Sequence, residues 1–207
     1  MANGTDQNDS LVNNSVFPFI NQLLFGITNG FCISNKLKYC ESISELRTYL
    51  RKEDSSDQKW QFAQGWLYTE GLQFSEPGKG SYELCEFLEL NNCELQIVSH
   101  KTPYSSAAGG FKDLRGPAND WIENSVLARF FNRPNKVHFE LTKAEKVKKI
   151  QMLSLNYFVD DLDEIFMDLE FPKEVIGFLL NATSSQNSSI KCVPDLCKLK
   201  EIIINEY

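Results

Sequence analysis

The sequence predicts a three-layer α/β fold, in which helices cover both faces of a mainly parallel sheet. Short apolar, strand-like runs alternate with segments of helical periodicity along most of the chain, and the connections between them are short. The chain has 207 residues, of which 42% are hydrophobic, and this suits one well-buried core. We therefore expect a single domain over residues 1–207.

The first third of the chain is predicted to be mainly helical. Ser42 and Glu45 have the spacing of a capping box, and the helix that they open continues through Leu46 and Leu50. Residues 60–72 form a second segment with apolar residues at helical spacing. We expect residues 15–72 to form a small cover, and the Asn- and Ser-rich residues up to about 15 to lack regular structure.

From residue 80 onward, helices and strands alternate. Helices are predicted over residues 80–90, 121–130, 143–153, 162–167 and 194–204, and Thr142 with Glu145 forms a capping box at the third of them. Strands are predicted over residues 95–98, 136–139, 157–159 and 175–180, and residues 183–189 form a loop before the closing helix. In parallel sheets of this kind, ligands bind at the carboxyl ends of the strands.

Four polar residues occupy such positions. Ser99, Asp160 and Asp161 follow apolar runs, and Lys146 lies just inside the helix after the strand at 136–139. A phosphoryl-transfer site needs these groups, because carboxylates hold Mg²⁺ while a lysine and a hydroxyl bind phosphoryl oxygens. Each also has a simpler interpretation. Taken alone, Asp161 is better suited to cap the next helix, and Ser99 to end its strand. A solvated helix lysine is the alternative for Lys146, but the dipole at the amino end of a helix disfavours a cation there and so favours the functional interpretation.

Neighbouring polar residues are interpreted more simply. His100 and Lys101 are expected to lie at the rim of such a site, and His138 to lie in the sheet. Asp113 and Arg115, on the loop after the strand at 95–98, are expected to form a surface ion pair rather than to contact a substrate.

Charge and composition limit the partners. The net charge is −7 and no block of Lys or Arg occurs, so we expect no binding to nucleic acid or to an anionic membrane surface. No stretch approaches the length of an apolar transmembrane segment, and the polar start does not resemble a signal peptide. A cytoplasmic location and reduced cysteines are therefore expected.

Three segments resemble motifs II, III and IV of the haloacid dehalogenase superfamily, in the same order. They are Ile-Val-Ser-His-Lys-Thr at 97–102, Phe-Glu-Leu-Thr-Lys-Ala-Glu-Lys at 139–146 and Phe-Val-Asp-Asp-Leu at 158–162. The resemblance covers roughly residues 45–180 and is closest to small bacterial phosphatase-like proteins of unassigned substrate. It implies a Rossmann-like fold without a large cap domain, and hydrolysis of a small phosphorylated substrate.

The resemblance also implies roles for individual residues. Ser99 would bind the phosphoryl group and Lys146 would stabilise an aspartyl-phosphate. Asp160 and Asp161, with Asp6, would hold Mg²⁺ as the cofactor.

The first motif of that superfamily is degraded in this sequence. It is an Asp-x-Asp after an apolar strand, in which the first Asp attacks phosphorus and the second is the general acid and base. Spacing aligns Asp6 with the nucleophile and Asn8 with the acid and base, but an Asn cannot exchange a proton. A rival placement at 24–30 is apolar enough for a strand and contains no carboxylate. The leading prediction is Mg²⁺-dependent hydrolysis of a small phosphomonoester through an aspartyl-phosphate, with turnover slowed by the degraded motif. The alternative is a catalytically impaired relative that binds phosphate or metal or acts as a regulatory protein.

Overall fold

A computed structural model of the chain describes residues 14–16, 25–40, 43–53 and 56–206. Its six strands are β1 (Asn14–Val16), β2 (Glu94–His100), β3 (Val137–Glu140), β4 (Tyr157–Asp160), β5 (Ile176–Leu180) and β6 (Lys191–Val193). They form one sheet in the order β3-β2-β1-β4-β5-β6, and neighbouring strands are parallel. The prediction of a mainly parallel sheet is confirmed.

The helices of the described ranges are α1 (Phe25–Ser34), α2 (Ile43–Glu53), α3 (Gln58–Leu67), α4 (Ser81–Leu90), α5 (Arg115–Asn124), α6 (Ala128–Phe131), α7 (Lys143–Met152), α8 (Asp163–Phe166) and α9 (Leu196–Glu206). None of these described helices has the length and apolar character to cross a membrane. From β1 the chain builds the sheet outward in one direction through β2 and β3, and then in the opposite direction through β4, β5 and β6. The crevice at its carboxyl end is therefore the topological switch point, where α/β proteins bind ligands.

Helices cover both faces of the sheet because the strands alternate their buried side chains. Tyr157 and Val159 of β4 pack into a cluster with residues of α4, α5, α6 and α9, whereas Phe158 packs into a second cluster with residues of α7 and α8. Successive side chains of a strand point to opposite faces, so a strand buried on both sides reads as a continuous apolar run. This arrangement confirms the three-layer prediction.

A third cluster belongs to α1, α2 and α3, the helical region before the sheet. Phe31, Leu46 and Trp60 are buried within it, and Trp121 of α5 packs against both this cluster and the first face of the sheet. A 3₁₀ turn at Glu70–Phe74 then leads the chain toward α4. The helical region is thereby packed against the segment that follows β2.

Two predictions near the amino terminus are wrong. Residues up to about 15 were expected to lack structure, yet Asn14–Val16 form the central strand, because β2 and β4 supply hydrogen-bonding partners on both sides. The rival placement of a strand at 24–30 is also wrong, since Phe25–Ser34 are helical. Its buried residues Thr28, Phe31 and Cys32 have helical spacing, which short apolar runs do not reveal unambiguously.

Later elements differ from prediction mainly at their ends. The helix expected over 121–130 is two helices, α5 and α6, which the chain separates at Ser125 in extended conformation. The short strand β6 was not predicted, because Lys191, Cys192 and Val193 form no apolar run.

Candidate functional site

A buried ion pair joins α7 to the carboxyl end of β4. Lys146 Nζ donates to Asp160 Oδ2, and the two residues are 2% and 0% exposed. The other carboxylate oxygen, Oδ1, accepts the backbone N–H of Leu162 at 3.0 Å. Both oxygens of the Asp160 carboxylate therefore have partners within the protein.

The local sequence accounts for the position of Lys146. The Thr142 hydroxyl accepts the backbone N–H of Glu145 at 3.1 Å, and the Glu145 carboxylate accepts the backbone N–H of Thr142 at 3.2 Å. This confirms the predicted capping box, which fixes the first turn of α7. Lys146, Val147 and Ile150 then fall on one buried face of the helix. The lysine is part of the core-facing side of α7, not of its solvated side.

The position of Asp160 follows from the alternation of β4. Phe158 packs in the same cluster as the buried residues of α7, and Asp160, two residues further on, shares that face. A carboxylate and an ammonium group removed from water each lose several kcal/mol of hydration free energy, which only mutual attraction and hydrogen bonds offset. Neither group is therefore stable at this position without the other.

His100 borders this ion pair from the end of β2. Burial lowers the pKa of its imidazole from the ordinary value, and the positive charge of Lys146 lowers it further. The ring is therefore mainly neutral near pH 7. Ser99 precedes it and is half-buried, and side chains alternate along the strand, so the Ser99 hydroxyl and the His100 ring lie on opposite faces of β2.

Ser99 shares the carboxyl edge with the ion pair without touching it. Val16 of β1 is level with Gln96 on one side and with Phe158 on the other, so Asp160 is the last residue and Ser99 the last but one of the two strands that flank β1. Two strand spacings correspond to about 10 Å between those backbones. Within the described part of the chain, no hydrogen bond joins Ser99 to Lys146 or Asp160. The gap between them is the crevice above β1.

Lys101, expected at the rim, is buried. Only 8% of the residue is exposed, and its Nζ lies 4.0 Å from the centroid of the Tyr68 ring. Burial lowers the pKa of its ammonium group from 10.5 to about 8. Burial also raises the pKa of the Tyr68 phenol to about 12, and the negative charge of Asp161 contributes to this increase. Tyr68, at the end of α3, therefore lies in contact with Lys101 and close enough to Asp161 for the carboxylate charge to act on its phenol.

Asp161 is not the helix cap that its sequence alone favoured. The residue that precedes α8 as N-cap is Leu162, which offers no side-chain cap, and Asp161 lies one position earlier in a half-buried site.

The expected ion pair between Asp113 and Arg115 is also not formed between their side chains. The Asp113 carboxylate accepts the backbone N–H groups of Arg115 and Gly116, whereas Arg115 Nε donates to the Lys101 carbonyl at 2.8 Å. The expectation that His138 lies in the sheet agrees with its 2.9 Å hydrogen bond to Gln96.

Two of the three carboxylates predicted to hold Mg²⁺, Asp160 and Asp161, lie in the described part of the chain. Among residues 14–16, 25–40, 43–53 and 56–206, no three carboxylate, histidine or cysteine side chains come together as a metal-binding group. The Asp160 carboxylate accepts from Lys146 Nζ and from the backbone N–H of Leu162, so a Mg²⁺ ion bound there would compete with the Lys146 ammonium group.

The first motif was placed by spacing at Asp6 and Asn8, and both precede the central strand, because β1 begins at Asn14, eight residues after Asp6. Asp6 and Asn8 themselves lie outside the described residues. After β1 the sequence contains no Asp or Glu until Glu41. The residues that follow the central strand in sequence therefore supply no carboxylate to attack phosphorus.

The fold and the edge site together define an open, parallel α/β protein with a lysine–aspartate pair at its switch point. Eight solved chains match this structure. A haloacid dehalogenase superfamily hydrolase from Ehrlichia chaffeensis matches at 15% identity with a TM-score of 0.50, over 93% of this chain and 96% of that one. A defluorinating L-2-haloacid dehalogenase matches at 11% identity with a TM-score of 0.50, over 92% and 94%.

A third match is a haloacid dehalogenase-like hydrolase from Burkholderia xenovorans, at 12% identity, a TM-score of 0.49 and coverage of 93% and 96%. No protein-family model matches the sequence, and neither does any curated protein. The two structures at a TM-score of 0.50 show that this chain has the fold of haloacid dehalogenase superfamily hydrolases. The fold that the three sequence motifs implied is confirmed.

Proposed function

We propose that this protein binds a small phosphorylated molecule at the carboxyl edge of its sheet and does not hydrolyse it. One observation carries the proposal: the central strand is Asn14–Val16, and the sequence after it contains no carboxylate until Glu41. A covalent phosphatase mechanism needs a nucleophile beside the phosphorus atom, and an attacking group elsewhere cannot replace it.

Hydrogen-bond donors at this edge of the sheet support the proposal. An ammonium group has three N–H donors, and Lys146 gives one of them to Asp160, so the others are available to phosphoryl oxygens. The Ser99 hydroxyl at the end of β2 provides a further donor on the other side of β1. Ser99 lies on β2 and Asp160, the partner of Lys146, on β4, which are the two strands that flank β1, and we place the phosphoryl group at the carboxyl edge between them.

Hydrolysis of a small phosphomonoester is the second candidate, because Ser99, Lys146 and Asp160 share one edge of the sheet as that chemistry requires. In this candidate Asp6 is the nucleophile and Asn8 stands at the acid and base position. Asp160 and Asp161 would hold Mg²⁺, and Asp160 would first have to exchange its contact with Lys146. That requirement ranks the candidate second.

Two measurements separate the candidates. Hydrolysis of para-nitrophenyl phosphate with Mg²⁺ is compared for the wild type, Asp6→Ala and a buffer blank, and we expect no difference among the three. Activity in the wild type that Asp6→Ala abolishes would establish the phosphatase.

Binding of inorganic phosphate is measured by calorimetry. We expect the wild type to bind and Ser99→Ala to bind at least about 10-fold more weakly, because a hydrogen bond to a charged group contributes about 1.5–3 kcal/mol. Ser189→Ala, in the loop before β6, is the matched control and leaves the affinity unchanged. A wild type that does not bind phosphate removes the proposed function.

A further inference from the structure

Lys101 is a buried cation for which the described residues provide no counter-ion. Its ammonium group contacts the face of the Tyr68 ring, and none of the ion pairs in the described part of the chain includes it. Burial alone accounts for its lowered pKa, without an opposing effect from a carboxylate. A charged group held in this way destabilises a fold, because the ring replaces only part of the lost hydration.

Arg115 supplies a second, independent observation at the same place. Its Nε donates to the Lys101 carbonyl at 2.8 Å, so its guanidinium lies against the backbone of Lys101. Its Nη2 is buried and has no acceptor among the described residues. A buried guanidinium N–H without an acceptor is rare in native proteins and calls for a missing partner. Two neighbouring cationic side chains thus lack what an anion would supply.

The position of Lys101 links it to the crevice above β1. The Lys101 backbone N–H donates to the Glu140 carbonyl at 2.8 Å, which continues the pairing of β2 with β3 by one residue. Lys101 and Ser99 are two residues apart in extended chain, so they lie about 7 Å apart on the same face. One small molecule can therefore reach both.

We infer that Lys101, with Arg115 beside it, binds a second anionic group of the ligand, so that the ligand is a small phosphorylated acid rather than a simple phosphomonoester. This inference rests on the proposed function. It assigns the phosphate to the crevice between Ser99 and Lys146 and the second anionic group to the buried ammonium of Lys101. A lysine that binds a ligand lowers the stability of the fold when the ligand is absent, whereas a lysine that only packs on a ring would stabilise the fold.

A matched pair of probes tests the inference by calorimetry. 3-Phosphoglycerate and glycerol 3-phosphate share a three-carbon phosphate ester, and only the first carries a carboxylate. We expect the wild type to bind 3-phosphoglycerate at least 10-fold more tightly, Lys101→Met to lose that preference, and Lys101→Arg to keep most of it. Lys112→Met removes a lysine of the same loop that pairs with Glu70 at 2.6 Å, and it should leave both affinities unchanged. Equal affinities in the wild type, or a preference that survives in Lys101→Met, would overturn the inference.

The thermal unfolding midpoint without ligand distinguishes a binding role of Lys101 from a packing role, because Lys101→Met should change it in opposite directions in the two cases. Lys101→Met should raise the unfolding midpoint, because it removes an uncompensated charge; a lowered midpoint would mean that Lys101 only stabilises Tyr68 and would overturn the inference. If neither phosphate compound binds, the proposed function fails. Malonate, a dianion without phosphate, then decides the inference: a midpoint raised by malonate in the wild type and not in Lys101→Met supports it, and no shift refutes it.

Discussion

Asp160→Asn isolates the charge of the buried ion pair. The Asn carbonyl oxygen can still accept the backbone N–H of Leu162, which Asp160 Oδ1 accepts at 3.0 Å, and the side-chain volume hardly changes. What is lost is the counter-ion of Lys146, and because only 2% of this residue is exposed, water replaces little of the lost attraction. Breaking one partner of a buried pair costs about 3–5 kcal/mol. We expect a loss of this size in the free energy of unfolding, measured by urea denaturation.

Two further variants make this prediction decisive. Lys146→Met combined with Asp160→Asn removes both charges and should recover at least half of the loss, since no uncompensated ion remains. Lys143 lies on α7 like Lys146, and Lys143→Met breaks its exposed pair with Glu164 of α8, which should cost about 0–1 kcal/mol. A loss below about 1 kcal/mol for Asp160→Asn would refute the argument that the pair is buried and mutually dependent.

Three more outcomes follow from the structure. Burial lowers the pKa of Lys101 from 10.5 to about 8, so between these values the unfolded state binds more protons than the folded state. The free energy of unfolding should therefore rise by up to about 3 kcal/mol from pH 8 to 10.5 in the wild type, relative to Lys101→Met, and parallel pH profiles of the two would contradict this. Thr142→Ala should lower it by about 1 kcal/mol through loss of the cap of α7, with Thr142→Ser close to the wild type as the control. Gly65→Ala should lower the thermal midpoint, because a Cβ there would lie 2.5 Å from the Gly109 carbonyl oxygen; a raised midpoint would show that the two backbones are not in contact.

The sequence predicts those parts of the fold in which local pattern and burial agree. The strands β2, β4 and β5 are apolar runs because both of their faces are covered, and they are found within two residues of the expected positions. Thr142 and Glu145 predict the start of α7 because a capping box depends only on residues three apart. The meeting of Lys146 with Asp160 follows from topology, since carboxyl ends of parallel strands share one edge.

Other features depend on partners distant in the sequence. Asn14 and Ser15 have no preference for a strand, and they form one because β2 and β4 flank them. Nothing in the residues around Lys101 indicates burial, because Tyr68, which covers it, comes from another part of the chain. Phe25–Ser34 form a helix although their apolar residues also suit a strand, and their packing against α2 and α3 decides between the two.

The contact between Gly65 and Gly109 determines how the Lys101 crevice can respond to a ligand. Here α3 meets the 3₁₀ turn at Ala107–Gly109 backbone to backbone, and Tyr68 stands at the end of the same helix. The backbone of α3 that carries Tyr68 is therefore held at a distance set by main-chain atoms from the loop that follows Lys101. A backbone held in this way does not have to be ordered when an anion binds, so we expect the response to a ligand to be limited to side-chain rotamers.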